Sequence, residues 1–358
     1  MFKKFFVTVN LLAVIAGVTA SASAQDWDKG VSLFNQKQYR QAIREFHAVL
    51  NANPDYWKAW YYIGAGHYYL QGYENAIDAF DNFIKGAEKS EQDQAAGYYF
   101  TGFSHYKLEQ FDKAIPTLGK YISISEKNRL KIDVTARAAL GRSYIFTDRF
   151  NEAIPVLTVA AAEMKTDANS HYYIAFAHYK LGHSDQAIPA LNQALAIHPK
   201  DVDSLSLLGN IYLGRWKEGP GMLKQAISTG ERLLAVENGE RAWNLLGQAY
   251  LLDKQYAKAA PMFDQLTRAH PDSSITWYNL GLAYSRSSQW KPAAQALEQA
   301  IKLTPNNLAA YMELGYVYES DKEPAKALST YEKAYEASGR RDEAARAAIE
   351  RLKQAKPS

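Results

Sequence analysis

The chain is 358 residues long, 47% hydrophobic and 13% aromatic, with a formal charge of +3 and no cysteine. The missing thiols exclude disulfides and thiolate metal sites, and a charge this near balance gives no electrostatic reason to expect nucleic acid or an anionic membrane as partner. The apolar fraction is ample for a continuous stacked core.

In chain order, the first segment reads as an address. Lys3 and Lys4 precede an apolar run from Phe5 to Val18, and Ala22-Ser23-Ala24 fits the small-residue cleavage pattern. Residues 1–24 are therefore expected to be a cleavable signal peptide, cut after Ala24, with Gln25 first in a mature chain exported to a bacterial periplasm. The run is too short to favour a spanning helix, so no integral membrane segment is expected in the mature chain. No cysteine follows it, which argues against lipid attachment.

From there a glycine followed twelve residues later by an alanine recurs: Gly30/Ala42, Gly64/Ala76, Gly102/Ala114, Gly141/Ala153, Gly247/Ala259, Gly281/Ala293 and Gly315/Ala327. Ala175/Ala187 keeps the spacing, and Gly209 keeps the beat with no matching second residue. Successive first positions lie 34 residues apart five times, 38 twice and 39 once, a period that marks a repeat array. Around each pair apolar residues recur at helical spacing, as in Trp277, Leu280, Gly281 and Tyr284, then Ala293, Leu297 and Ala300, with Pro305 as a stop. Each unit reads helix, short turn, helix. The small residues are expected to let the two helices of a hairpin approach closely where they cross.

The pattern resembles the tetratricopeptide repeat: Trp243, Leu246, Gly247, Tyr250, Ala259, Phe263, Leu266 and Pro271 match its Trp, Leu-Gly, Tyr, Ala, Phe and Pro positions. The resemblance implies an all-α, right-handed superhelical solenoid of antiparallel helix hairpins. Nine repeats are expected over 25–339. A polar stripe-bearing helix, Arg341 to Ala355, is expected to cap the array within a C-terminal segment 340–358.

Three junctions carry extra residues. Glu91 to Gln94 and Arg129 to Asp133 read as helix extensions or turns. The third, Gly214 to Gly221, falls in an irregular sixth repeat near 214–236. There glycines and Pro220 are expected to break the hairpin, the next helix is expected over Met222 to Val236, and Gly230 stands where a bulky residue belongs. Trp216 in this segment is either a partner anchor or a lid on the broken hairpin.

No catalytic constellation can be picked out, and neither a cofactor nor a metal site is expected. His67, His105 and His178 occupy a common repeat position where the family has tyrosine, which favours an imidazole packed between helices with one hydrogen-bond partner. Ligands of one metal ion must converge to about 2.0–2.1 Å from it, which equivalent residues of stacked repeats do not.

The resemblance also implies that the first helix of each hairpin lines a groove. Carried onto this sequence, its positions give Tyr61 and Tyr68 with neighbouring Tyr69, then Tyr99, Phe103 and Tyr106, then Phe146, then Tyr172, Phe176 and Tyr179. Lys107, Arg142 and Lys180 flank them. These residues are expected to form an aromatic trough whose rings bind a partner without being needed for folding. Further on the corresponding helix positions are polar, with Ser206, Asn210, Arg241, Asn244 and Gln248, an asymmetry that is expected to make two different contact surfaces. A two-carboxylate clamp is not expected, because Glu313 stands where a cation is required. The expected function is a non-enzymatic periplasmic scaffold that holds an extended peptide or envelope protein in cell-envelope assembly or secretion. The alternative is a carbohydrate-binding accessory for exported polysaccharide or peptidoglycan.

Overall fold

A computed structural model describes residues 23–354, with side chains from residue 26. The expected signal segment lies outside the described residues except for its last two positions. Among the described residues there are nineteen α-helices, one 3-10 turn and no strand. The chain is an all-α solenoid of helix hairpins, and it divides into two compact units at Met164 and Lys165.

The first unit holds four hairpins: α1 (Ser23–Asn35) with α2 (Tyr39–Ala52), α3 (Ala59–Tyr69) with α4 (Tyr73–Gly86), α5 (Glu91–Lys107) with α6 (Phe111–Lys127), and α7 (Val134–Phe146) with α8 (Phe150–Glu163). The second unit holds five: α9 (Ala168–Lys180) with α10 (Ser184–Ile197), α11 (Val202–Gly214) with α12 (Pro220–Val236), α13 (Glu240–Leu252) with α14 (Tyr256–Ala269), α15 (Ser274–Arg286) with α16 (Trp290–Leu303), and α17 (Leu308–Ser320) with α18 (Pro324–Ala337). Helix α19 (Glu343–Gln354) packs on α18 and buries Ala345 and Ala348.

The turns explain why the hairpins repeat so regularly. In eight of the nine, the second residue after the first helix takes a left-handed conformation, at Lys37, Gln71, Glu109, Asp148, Gly182, Lys254, Ser288 and Lys322. The next amide then donates back to a carbonyl in the last turn, as Gly72 does to His67 and Gln289 to Tyr284, both at 2.9 Å. This closes the helix end and satisfies carbonyls that would otherwise be orphaned. The reverse turns use side-chain caps: Asp133 accepts from the Thr135 amide, Asp201 from Ser204, Asn307 from Ala310 and Asp342 from Ala345.

The glycines allow the expected close crossing, and they do so as sockets. A Cβ on Gly30, Gly64, Gly102, Gly141, Gly247, Gly281 or Gly315 would not meet the alanine twelve positions on. It would meet Phe46, Phe80, Leu118, Leu157, Phe263, Leu297 or Tyr331, sixteen positions on, at 2.5–3.0 Å. Each glycine is therefore a socket for one large knob of the second helix. The alanines, all at 0% exposure from Ala42 to Ala327, sit one helical turn before that knob and complete the close crossing.

The sixth hairpin is also corrected. It is not broken: α11 and α12 still pair, joined through a 3-10 turn over Trp216–Glu218, and Pro220 occupies the first turn of an α12 that starts earlier than expected. Ala226 is fully buried, but its knob position is Gly230. The socket at Gly209 is filled instead by Leu245 of α13, whose Cδ2 lies 2.3 Å from a Cβ built there, and Leu246 covers Gly230. The seventh hairpin supplies the side chain that the sixth lacks.

Candidate functional site

In the first unit the expected trough residues mostly pack on rings of their own and neighbouring helices. Tyr61 packs on Tyr62, Phe80, Phe83 and Phe100. Tyr68 packs on Phe100 as well, and burial pushes its phenol up to about 12. Tyr99 packs on Phe103 and Tyr121, and its hydroxyl donates to Asp133 at 2.9 Å. Burial and that carboxylate hold the Tyr99 phenol far above its ordinary value. Asp133 also caps α7 and accepts from Thr135, so Tyr99 ties α5 to the start of the next hairpin. Tyr99, Phe103 and Tyr106 all lie against a buried cluster that includes Leu118, Ile122 and Leu140. Rings in these positions contribute to folding, contrary to the expectation.

Two of the expected trough rings in this unit are half exposed. Tyr69, 50% exposed, stacks on Tyr39 at 5.0 Å, and Phe146, 49% exposed, stacks on Phe111 at 4.6 Å. In both pairs a ring at the end of a first helix rests on the opening residue of the preceding hairpin's second helix. Lys107 is exposed and Arg142 is half-buried.

The histidines divide. His105 Nδ1 pairs with Gln110 at 2.9 Å, whereas the buried Nδ1 of His178 has no partner, so the expectation of one hydrogen bond each fails at His178. Burial, with His183 nearby, holds His178 below its ordinary pKa. Glu313 is buried and accepts from Ser285 Oγ at 2.5 Å and Arg286 at 3.0 Å. It is a link between α15 and α17.

The second unit contains an open cleft of about 670 Å³. Its lining comes from the first helices of three successive hairpins: Tyr172, Phe176 and Tyr179 of α9; Asp203, Ser206, Leu207, Asn210, Leu213 and Gly214 of α11; Arg241, Gln248 and Leu252 of α13; and Trp216 of the 3-10 turn. The sequence placed the aromatic and polar residues on separate contact surfaces, and here they share one site. At the end nearer the helix starts, Arg241 Nη1 lies 2.6 Å from Asp203 Oδ1, and both side chains are more than half exposed. Burial, followed by the Asp203 charge, pushes the Tyr172 phenol up to about 12, so this hydroxyl stays a neutral donor at any ordinary pH.

At the opposite end Tyr179, Trp216 and Leu252 are all exposed, and Leu213 backs them. Lys180 lies 5.6 Å from the Phe176 ring centroid and flanks the wall. Between the two ends stand the amides of Asn210 and Gln248, each at the position after a socket glycine. The arrangement offers flat apolar faces, amide donors and acceptors, and an ion pair. Sequence reasoning did not assign Asp203 to the site. Its signal was the cap-and-groove register: it lies two residues after the capping Asp201, 38 positions before its partner Arg241.

Two protein-family models, both described as Tetratricopeptide repeat, match the chain. One matches residues 28–81, 221–274, 246–287 and 278–342, and the other residues 147–211. Among solved structures, one described as YrrB, a TPR protein with an unusual peptide-binding site, is 18% identical with a TM-score of 0.50 over 54% of this chain and 97% of its own. One described as MamA protein is 23% identical with a TM-score of 0.44, over 48% of this chain and 92% of its own. A MamA from Desulfovibrio magneticus RS-1 is 22% identical with a TM-score of 0.43, over 49% and 97%. At 18% identity the likeness to YrrB is one of fold. No curated protein matches the chain. With glycine sockets and capped hairpins repeating in both units and two family models matching along them, the chain belongs to the tetratricopeptide repeat family.

Proposed function

We propose that the mature chain, beginning at Gln25, is a periplasmic scaffold without catalytic activity, and that it binds an extended peptide segment of an envelope protein. In this reading residues 25–339 are the repeat array and 340–358 its cap and tail. The observation that carries the binding site is the cleft of the second unit, where aromatic side chains, two amides and an ion pair converge in about 670 Å³. That volume lies in the usual range for ligand sites, and the mixture is one that holds a backbone: amides pair with peptide N–H and C=O groups while rings take side chains. Peptide binding has a precedent in the fold, since the YrrB structure is described as having such a site.

One observation favours a second reading. Asp203, Asn210 and Gln248 line the same cleft as Tyr172, Phe176 and Trp216, which also suits a sugar chain stacked on rings and hydrogen-bonded through its hydroxyls. Equilibrium titration of the mature chain separates the two, with fluorescent end-blocked decapeptides tiled from exported envelope proteins in one arm and cellohexaose and soluble peptidoglycan fragments in the other. The reading expects binding in the peptide arm. It also expects Phe176→Ala with Tyr179→Ala to weaken binding by roughly a thousandfold, at about 2 kcal/mol per anchor ring. Binding confined to the sugar arm, or peptide binding indifferent to both changes, overturns it.

A further inference from the structure

The turn between α11 and α12 departs from the other eight in its backbone. It lacks a left-handed residue two positions after the first helix, and its strained position is Gly219, at φ 142°, a conformation that side chains with a Cβ rarely adopt. It also carries Trp216, the one tryptophan exposed among the described residues, at 38%. The other six tryptophans pack into buried clusters, among them Trp243 and Trp277, which also hydrogen-bond through their indole N–H groups. Trp216 lines the cleft.

The turn is also held. Arg215 Nε and Nη2 grip the carboxylate of Glu218 at 2.7–3.0 Å, and its Nη1 reaches Asp185 at the start of α10 at 2.8 Å. A planar fork that engages two carboxylates fixes direction as well as distance, which lysine cannot do. The Arg215 side chain is itself only 21% exposed. The clasp ties the turn to the preceding hairpin and fixes the residue next to Trp216.

We propose that this turn is a built anchor for the cleft's ligand: Trp216, with Tyr179, Leu213 and Leu252, receives one uncharged aromatic or branched aliphatic side chain of an extended peptide, and Arg215 is the positioning residue that holds Trp216 in place. The inference rests on the peptide reading of the cleft. The choice of occupant follows from charge. The lining has a single acid, Asp203, and a single base, Arg241, paired with each other at the far end. The apolar end lines the cleft with no charge of its own. The exposed cations that border it, Lys217 at 5.7 Å from the Trp216 ring centroid and Lys180 at 5.6 Å from that of Phe176, would repel a basic ligand side chain. A carboxylate laid on these apolar faces would lose its water with no buried partner. The amides of Asn210 and Gln248 adjoin this end and suit the backbone that carries the anchor.

A positional-scanning library of end-blocked hexapeptides, titrated against the mature chain and its variants, tests the proposal. Wild type should select aromatic or branched aliphatic residues at one position. Trp216→Ala should weaken the best peptide by about thirtyfold or more and flatten that preference. Arg215→Ala and Arg215→Lys should both broaden it at unchanged melting temperature, a readout that a purely structural role would not move. In protein labelled with 5-fluorotryptophan, the resonance lost in Trp216→Phe should shift when the best peptide is added, which keeps the test decisive even where a variant folds poorly. Peptide binding in which that resonance stays still and Trp216→Ala keeps the wild-type preference overturns the anchor and leaves the cleft reading standing. No hexapeptide binding at all, or binding of cellohexaose alone, overturns both.

Discussion

At the scale of the residue, a socket takes only hydrogen, or in the fifth hairpin the methyl of Ala175, on one helix and methyl on the other. Ala187 and Ala259 have no exposure, so Ala187→Arg or Ala259→Arg combines overpacking, about 1–3 kcal/mol, with burial of an unpaired charge. Thermal melts should fall clearly for either, and stay near wild type for an arginine on an exposed face such as Gln193→Arg. Tyr99 is another residue whose loss is structural. Removing its ring and its bond to Asp133 should cost about 2 kcal/mol, so Tyr99→Ala with Tyr106→Ala should melt well below wild type. The sequence could not distinguish a groove ring from a packing ring, because both recur at one repeat position. Only the partner at Asp133, 34 residues away, decides it. His178 adds a pH dependence. Its folded pKa lies below the ordinary 6.5, so the native state favours the neutral ring while the unfolded chain takes up protons first. Its contribution is complete above about pH 6.5 and is lost as pH falls through the folded pKa. Melting temperature measured from pH 7.5 to 5 should therefore drop less in His178→Tyr, which restores the side chain that Tyr144, Tyr212 and Tyr250 supply at this position.

At the scale of the element, helix existence and hairpin pairing were legible because period, socket and stop signal all agree. What the sequence hid was how a defect is repaired. Gly230 reads as a missing knob within its own hairpin, and nothing local says that Leu245 of the following helix enters the socket at Gly209. The repair predicts an asymmetry: Leu245→Ala should cost about 2–5 kcal/mol, a large loss for a first-helix residue, and should loosen α11 and α12 as well as its own hairpin. Hydrogen exchange that speeds up in α13 and α14 alone would contradict it. The turn at Trp216 was equally opaque, since a glycine- and proline-rich stretch reads as breakage whether or not an arginine clasp organises it.

At the scale of the whole chain, the family was legible from spacing alone, and the second unit's cleft was not. The first-helix positions named its aromatic wall, Tyr172, Phe176 and Tyr179, but assigned the polar residues to a different surface. A repeat register fixes which residues share a face and leaves open which successive faces converge. The expected address is tested on the whole molecule: protein from the periplasmic fraction should begin at Gln25 by intact mass and N-terminal analysis, and a full-length, membrane-retained species would refute export. The Leu245 repair also bears on modularity. Repeat arrays are usually additive, with each hairpin contributing its own stability and a nearest-neighbour interface. Here the sixth hairpin has handed one of its own core side chains to the seventh, so α11–α14 should open and close as a single cooperative block of four helices. The sixth hairpin therefore cannot be duplicated, excised or exchanged for a consensus repeat by itself, and a shuffled array that separates it from Leu245 would carry an empty socket at Gly209.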